Sequence, residues 1–225
     1  MEVLIVRHGQ SWTNLVTSRP ASQGSPGLTR LGFDQARECA RFLGEDVEAN
    51  GAFSTLYCSP RLRALETATV IAGTLGLTPM VAKELRSLDH GPGNPWNPGN
   101  NASGTIPPLA PRTPALVGAE TWESYLGRAG RFLTGLPARH PGSRVLIVGH
   151  AETQTAAISA FLRLKVDSGS WWRAQVEHGG ICRWAHEHQQ VRGADRDGCW
   201  ILAGHNETRH LDSCLSPTPR VEVTE

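Results

Sequence analysis

Excess charge is the first thing that this 225-residue sequence lacks. Lysine and arginine number 22 against 21 aspartates and glutamates, so the formal net charge at pH 7 is only +1. This balance argues against a strongly basic surface for nucleic acid. Long apolar runs are also missing, because no stretch approaches the ~20 residues that a membrane span requires. No basic leader precedes the opening residues MEVLIV. These absences predict a cytoplasmic protein with neither a nucleic-acid nor a membrane partner.

Cysteine is scarce and scattered. The chain has five cysteines, an odd number, and none forms a C-x-x-C pair. Their spacing is typical of reduced thiols, several of them packed as small apolar side chains. A carboxylate-rich metal cluster is missing as well, so the sequence predicts no metal and no other cofactor.

Strand-like and helix-like segments alternate along the chain. Buried strands are predicted at residues 2–6, 53–58 and 144–148, and helices at residues 31–43, 61–75, 121–135 and 152–164. Thr29 is the predicted cap of the first helix, and Gly76 is expected to end the second. Continuous apolar strands between helices are typical of a layered α/β fold with a mainly parallel sheet. One such domain is predicted over residues 1–211.

One long segment interrupts this alternation. Residues 91–118 are rich in glycine, proline and asparagine and contain few apolar side chains. Loops of this length in a compact domain are usually functional or disordered. The segment is therefore either a loose insertion or a lid that faces the substrate, with Trp96 as a candidate aromatic contact. The polar tail at 212–225 is predicted to be unstructured.

Two of the predicted strands end in a histidine. His8 follows Arg7 at the end of the first strand, and His150 follows the strand at 144–148. Ligands of parallel sheets bind outside the carboxyl ends of the strands, so both histidines are expected to lie at one site. Gly9 is expected to let the backbone approach a ligand closely.

Arginines make this site a candidate for an anion. A guanidinium cannot shed its charge, so a buried Arg7 requires an anionic partner. Residues 59–68 place another arginine pair at a strand-to-helix turn, where backbone N–H groups favour anions. Ser11 and Asn14 supply short hydrogen-bonding groups nearby. Together these features predict a pocket for a dianion such as phosphate.

Six short motifs follow one another along the chain. They are VRHGQSWTN at 6–14, GLTRLGFDQA at 27–36, CSPRLRALETA at 58–68, GAETWESYLGR at 118–128, VLIVGHAE at 145–152 and HNETRHL at 205–211. This ordered set resembles the histidine phosphatase superfamily, specifically its phosphoglycerate mutase-like group. The resemblance covers most of the chain and implies a three-layer sandwich with helices on both faces of the sheet.

The resemblance also implies a reaction. His8 would attack phosphorus and become a phosphohistidine, and water would then hydrolyse it. Arg7, Arg63 and His150 would hold the phosphate oxygens, and Asn14 matches the asparagine of the first motif. No metal is implied, because arginines and histidine neutralise the charge that Mg²⁺ neutralises elsewhere. The predicted function is hydrolysis of a small phosphorylated metabolite. The substrate-binding candidates are Ser11, Asn14, Gln23, Trp96, Glu120, Ala151 and His178.

One position departs from the family pattern. Members usually carry a general-acid glutamate in an L-x-E segment, whereas Ser87 occupies that place here. Serine cannot protonate an alkoxide effectively at neutral pH. Glu152, two residues after His150, and Asp89, two residues after Ser87, are the favoured substitutes and are not separable by sequence. Glu120 is a third candidate, although it could merely cap a helix.

Three alternatives to a phosphatase follow from the same residues. A phosphoglycerate-type mutase needs an arginine pair for the substrate carboxylate, and the insertion offers only the isolated Arg112. A protein that lacks the acid could bind a phosphorylated ligand without turnover. The sequence HEH at 186–188 could hold a cation in a metal-dependent hydrolase, but it is more typical of a solvated strand end or loop. The substrate and the oligomeric state do not follow from the sequence.

Overall fold

A computed structural model describes residues 1–15, 26–89, 112–114, 117–164, 173–191 and 194–214. The strands are β1 (Glu2–Arg7), β2 (Thr55–Cys58), β3 (Pro79–Val81), β4 (Arg144–Gly149), β5 (Ile181–Val191) and β6 (Ala194–Glu207). The helices are α1 (Arg30–Asn50), α2 (Leu62–Leu75), α3 (Trp122–Thr134), α4 (Leu136–Arg139) and α5 (Ala151–Phe161). Short 3-10 turns cover Trp12–Asn14, Lys83–Leu85 and Arg209–Leu211.

The six strands form one sheet in the order β3-β2-β4-β1-β5-β6. The pairs β3·β2, β2·β4 and β4·β1 are parallel, and the hairpin β5–β6 adds to β1 in antiparallel orientation. The predicted α/β fold with a mainly parallel sheet is therefore confirmed. Strands β3 and β5 were not predicted, and of β6 only its ending was expected, from the resemblance of residues 205–211 to a C-terminal strand ending. The first has only three residues, and charged residues and histidines interrupt the apolar pattern of β5.

The two faces of the sheet carry separate cores. Alternate residues of β1 and β4 point to opposite faces, as the pleat requires. One face buries Val3, Ile5, Val145 and Ile147 against α3 and α5. The other buries Leu4, Val6, Leu146 and Val148 against α1 and α2. The sheet with a helical layer on each face confirms the three-layer sandwich.

Helix ends agree with the predicted ends where a capping residue determines them. The Thr29 hydroxyl accepts a hydrogen bond from the Gly32 N–H at 3.0 Å, so the predicted cap of α1 is confirmed. Gly76 ends α2 with a φ of 65°, which also confirms the prediction. By contrast, α1 continues to Asn50, beyond the predicted end at residue 43. The additional part of α1 contains Asp46, which contacts residues far away in sequence. The spacing of apolar residues along the helix does not predict such contacts.

The contacts of Asp46 belong to an ion-pair network at the end of the sheet where strands β1 and β4 begin. The Glu2 carboxylate accepts hydrogen bonds from Arg144 at 2.6 Å and from Arg183 at 2.7 Å. Asp46 accepts from the same two guanidiniums, the one of Arg183 at 2.9 Å. Burial alone would raise the pKa of Asp46, but these hydrogen bonds outweigh it and lower the pKa. The network joins β1, α1, β4 and β5.

The loop after β1 packs directly on the first turn of α1. A Cβ atom on Gly9 would collide with the carbonyl of Gly32, and one on Gly32 would collide with the carbonyl of Gln10. The close approach that Gly9 permits in this structure is to a helix backbone, and its predicted approach to a ligand stays a prediction. This contact fixes the segment that carries His8.

We expect Gly32→Ala to lower the free energy of unfolding by about 1–3 kcal/mol, because the methyl group must displace backbone. Gly44→Ala in the same helix is the matched control. Its Cβ would meet only the Thr74 methyl at 3.8 Å, so removing glycine's flexibility should stabilise by about 0.5–1 kcal/mol. Urea denaturation of both variants measures the difference. Equal effects would contradict the close backbone packing.

The predicted insertion and tail fall largely outside the described residues. Residues 90–111 and 215–225 belong to the undescribed ranges. The boundaries of the domain, the insertion and the tail therefore stay predictions. None of the helices in the described ranges combines the length and apolar character that crossing a bilayer would need.

Candidate active site

The register of two parallel strands brings His8 and His150 together. Arg7 and Gly149 are paired at the carboxyl ends of β1 and β4, and a histidine follows each of them. The ring centroids lie 5.1 Å apart, and both side chains are buried. The two strand ends therefore bring the histidines into contact, and their role as one functional site stays a prediction.

Hydrogen bonds determine the tautomer of His8. Its Nδ1 lies 2.7 Å from the Gly9 carbonyl, which can only accept, so Nδ1 carries the proton. Nε2 accepts a hydrogen bond from the Arg63 Nε–H at 2.9 Å and therefore holds a lone pair. Burial, followed by the charge of Arg63, holds the pKa of His8 well below its usual value. The imidazole of His8 is therefore neutral, and the lone pair on its Nε2 faces the Arg63 guanidinium.

His150 has the opposite tautomer. Its Nδ1 accepts from Arg63 Nη2 at 3.2 Å, so Nε2 carries the proton and donates to the Ser59 hydroxyl at 2.8 Å. The backbone N–H of His150 donates to the Thr153 hydroxyl at 2.9 Å, which fixes the start of α5. Burial and the charge of Arg63 lower the pKa of His150 as well. Arg63 thus bridges two neutral imidazoles.

Arg7 is oriented by the loop before β5. One Nη donates to the Val176 carbonyl, and the other donates to His178 Nε2 at 2.8 Å. The His178 ring lies 5.6 Å from that of His8, and burial followed by the charge of Arg7 lowers the pKa of His178 to about 3. The Nε–H of Arg7 is buried and has no hydrogen-bond partner among the described residues. An unpaired buried donor of this kind suits an anionic oxygen.

The start of α5 completes the pocket. His150 is the residue before the helix, and Ala151 and Glu152 are its first two residues. Burial lowers the pKa of Arg63 to about 10 and also lowers the pKa of Arg7. The negative charge of Glu152 opposes this effect and raises both pKa values. The Glu152 carboxylate accepts no hydrogen bond from another described residue. It is therefore close to both arginines without being held by either.

The family profile described as "Histidine phosphatase superfamily (branch 1)" matches residues 3–195, which include both histidines and both arginines. The chain belongs to the histidine phosphatase superfamily. Its sequence is 30% identical over 181 residues to the bifunctional protein Rv2228c of Mycobacterium tuberculosis and to the uncharacterized protein Mb2253c of Mycobacterium bovis. The match covers 75% of this chain but only 45% of each relative, so the chain spans less than half the length of these proteins.

Solved histidine phosphatase structures share the fold. Mycobacterial glucosyl-3-phosphoglycerate phosphatase superposes with a TM-score of 0.69 at 21% identity, covering 91% of this chain and 98% of that one. A mutant of Entamoeba histolytica phosphoserine phosphatase in complex with phosphoserine gives 0.67 at 20% identity, with coverages of 93% and 98%. Bacillus stearothermophilus YhfR gives 0.68 at 22% identity, with coverages of 94% and 99%.

Ser87, which stands where the sequence pattern of the family predicts a glutamate, contacts an arginine. The Ser87 hydroxyl accepts a hydrogen bond from the Arg61 Nε–H at 3.2 Å. Asp89 forms an ion pair with Arg86 at 2.9 Å, and both side chains are about 40% exposed (40% and 39%). Both side chains of this segment are thus engaged by arginines.

The Glu120 carboxylate is paired with the Arg128 guanidinium. Two nitrogens of that guanidinium donate to its two carboxylate oxygens at 2.6 and 2.7 Å. Glu120 also accepts from the Asp89 N–H at 3.2 Å, and Arg128 donates to the carbonyls of Glu84 and Ser87. The pair fastens the segment at 84–89 to α3, which is a structural role.

Ser11 and Asn14 bond to each other. The Asn14 carbonyl oxygen accepts from the Ser11 N–H at 3.0 Å and from the Ser11 hydroxyl at 2.6 Å. Their side-chain oxygens therefore close the 3-10 turn after the His8 loop. Gln23 and Trp96 lie outside the described residues, so their predicted contacts stay predictions.

Several residues that shape the site were not identified by sequence reasoning. Ser59, fully buried, accepts from His150, and Thr67 accepts from the Gly9 N–H at 3.1 Å. Both occur in the quoted motif at 58–68, which was the available signal. The Val176 carbonyl, which binds Arg7, had no signal because a backbone acceptor is independent of residue type.

The HEH sequence is not a strand end or loop as predicted. Residues 186 and 187 lie inside β5, and the His186 ring packs 4.8 Å from that of Trp200. Within the described ranges, no three His, Cys, Asp or Glu side chains are grouped so that they could hold a metal ion. None of the cysteines in the described ranges forms a disulfide, and Cys39, Cys58 and Cys182 are buried.

Proposed function

We propose that the chain is a phosphatase that hydrolyses a small phosphate monoester through a phosphohistidine on His8 Nε2. The observation that carries the proposal is the neutral His8 ring. Its Nδ1–H is fixed on the Gly9 carbonyl, and its Nε2 lone pair lies among guanidiniums. A neutral imidazole with one nitrogen locked as donor is the form that can attack phosphorus.

Arg63 and Arg7 supply the charge that phosphoryl transfer needs. Arg63 donates to His8 Nε2 in this structure, so a bound phosphate oxygen must take over that N–H before Nε2 can attack. Arg7 Nε–H has no partner among the described residues and would donate to a second oxygen. His150, fixed between Arg63 and Ser59, borders the same space. Positioning and charge neutralisation are most of what this reaction requires.

The reaction then has two steps. His8 Nε2 forms a bond to phosphorus while the bond from phosphorus to the ester oxygen breaks, and an acid gives that oxygen its proton. Water next attacks phosphorus, the bond to Nε2 breaks, and the conjugate base of the acid takes a proton from the water. The products are an alcohol and inorganic phosphate, and His8 is regenerated.

Glu152 is the proposed acid. The Glu120 carboxylate is occupied by Arg128, and Asp89 is paired with Arg86. Glu152 alone of the three begins the helix that follows His150 and interacts with both Arg7 and Arg63. Its place at the start of that helix, beside the two arginines, is the reason for this choice.

Relatives support a phosphatase more than a mutase. The solved neighbours include two proteins titled phosphatases, for glucosyl-3-phosphoglycerate and for phosphoserine. Arg112, the arginine that the mutase alternative would use, pairs with Glu123 at 3.2 Å, and its side chain is 75% exposed. The contact of Arg112 is therefore an ion pair on the protein surface, which does not support a role in binding a substrate carboxylate.

Hydrolysis of p-nitrophenyl phosphate by the purified chain tests the proposed function. We expect activity that survives excess chelator, because arginines and histidine occupy the place where a metal would neutralise charge. Activity is measured before and after dialysis against chelator, with a Mg²⁺-dependent phosphatase as the control. Loss on chelation and recovery with Mg²⁺ or Zn²⁺ would show that the metal-free mechanism is wrong.

A further inference from the structure

We propose that Arg61 forms a second anion-binding subsite, so that the preferred substrate is a phosphate monoester that also carries a carboxylate. The proposal rests on the proposed phosphatase function, because it names the class of substrate for the same pocket. Arg61 lies beside the phosphate site, it is held there, and its guanidinium has no anionic partner among the described residues.

Arg61 is tied to the catalytic histidines through Ser59. It is the residue before α2, and Arg63 is the second residue of that helix. The Arg61 backbone N–H donates to the Ser59 hydroxyl at 3.3 Å, and the same hydroxyl accepts the His150 Nε2–H at 2.8 Å. The charge of Arg61 contributes to the low pKa of His150, after burial and Arg63. The guanidinium therefore acts on the catalytic pocket.

The Arg61 side chain is anchored at one edge only. Its Nε–H donates to the Ser87 hydroxyl at 3.2 Å. Its two terminal nitrogens have no hydrogen bond to any residue in the described ranges, and the side chain is partly exposed. The Nε contact orients the plane of the guanidinium, and within the described ranges Nη1 and Nη2 are open to a ligand.

The neighbouring carboxylates are engaged by other cations. Asp89 pairs with Arg86, and Glu120 pairs with Arg128 through two hydrogen bonds. Burial lowers the pKa of Arg61, and the charges of Arg86 and Arg128 lower it further against an opposing effect of Asp89. A half-buried cation among other cations is stabilised when an anion arrives from outside.

The open end of Arg61 suits a carboxylate better than a second phosphate. Its two terminal N–H groups are parallel and match the two oxygens of a carboxylate in a bidentate pair. One guanidinium balances the single charge of a carboxylate, whereas a second phosphate dianion would be only half neutralised. Ser87 is important here because a neutral hydroxyl orients Arg61 without cancelling its charge, as a glutamate at this position would.

Two nearly isosteric esters test the subsite. 3-Phosphoglycerate and glycerol 3-phosphate differ in having a carboxylate or a hydroxymethyl group at one end. The readout is the ratio of their kcat/KM values, so any general loss of rate cancels. We expect the wild type to prefer 3-phosphoglycerate by about ten- to a hundredfold, the usual range for a charged hydrogen-bonded pair.

Arg61→Met keeps the aliphatic stem and should reduce this ratio to near one. Arg86→Met removes a neighbouring positive charge that is already paired with Asp89, so it is the matched control and should keep the ratio. Arg61→Lys keeps the charge but not the fork, and an intermediate ratio is expected. A wild-type ratio near one, an unchanged ratio in Arg61→Met, or an equal loss in Arg86→Met would each overturn the subsite.

The subsite and the phosphatase proposal can fail separately. If the wild type hydrolyses p-nitrophenyl phosphate but shows no preference between the two esters, only the subsite is wrong. If no ester is hydrolysed, the phosphatase proposal is wrong. Calorimetric binding of the same two esters to wild type and Arg61→Met then decides the subsite by the same ratio.

Discussion

His8→Ala is expected to reduce phosphatase turnover to the background rate. The nucleophilic lone pair on Nε2 is removed, and with it the path through a phosphohistidine. Arg63→Ala should leave a folded protein with a loss of ~10²–10³-fold, since one charge clamp is removed while the nucleophile is kept.

Steady-state hydrolysis of p-nitrophenyl phosphate measures both losses. Trapping of a phosphoryl adduct on the His8 peptide measures the intermediate itself. His140→Ala is the control, because His140 bonds to Tyr57 at 3.0 Å just before β4, at the sheet edge opposite the site. Near-native turnover in His8→Ala, or an adduct on another residue, would contradict the assignment of the nucleophile.

Glu152→Gln is expected to slow hydrolysis of alkyl phosphates by ~10²–10⁴-fold, the usual contribution of a general acid. Hydrolysis of aryl phosphates should fall by less than about tenfold, because a nitrophenolate leaves without needing a proton. Glutamine keeps nearly the same shape, so the divergence between the two substrate types reports the titrating proton alone. The measurement is the ratio of kcat/KM for glycerol phosphate and for p-nitrophenyl phosphate.

Asp89→Asn is the matched control for this prediction. Its carboxylate pairs with Arg86, so the variant should lose little activity and show no divergence between the substrates. If Asp89→Asn diverged and Glu152→Gln did not, Asp89 would be the acid. Equal modest losses on both substrates in both variants would mean that neither carboxylate protonates the leaving group.

The contact between His8 and His150 was predictable from the sequence because backbone pattern alone positions the two residues. Two apolar runs fix two buried parallel strands, and the residues after them must meet at one sheet edge. His8 and His150 follow from that pattern, and the Thr29 cap and the turn at Gly76 follow from equally local chemistry. The motif at 58–68 favoured Arg63 over Arg61, and the structure places the Arg63 guanidinium between the two histidines.

The choice among the acids was not predictable, because it depends on partners that are distant in sequence. Glu120, Asp89 and Glu152 are equivalent as residue types, and only the packing of α3 against the segment at 84–89 shows which of them are occupied. Sequence spacing does not report which guanidinium reaches which carboxylate.

The sequence by itself determined the layered α/β fold of this protein. It also determined that the two histidines and their neighbouring arginines lie at strand ends and in short motifs, since both kinds of pattern are local properties. Only the tertiary structure decided the tautomers of His8 and His150, which depend on the Gly9 carbonyl and the Ser59 hydroxyl. It also decided the orientation of Arg61, because the hydroxyl that accepts its Nε–H belongs to Ser87, 26 residues further along the chain. The physical reason is that a hydrogen bond depends on distance and direction, and the fold sets both through contacts that no local pattern contains.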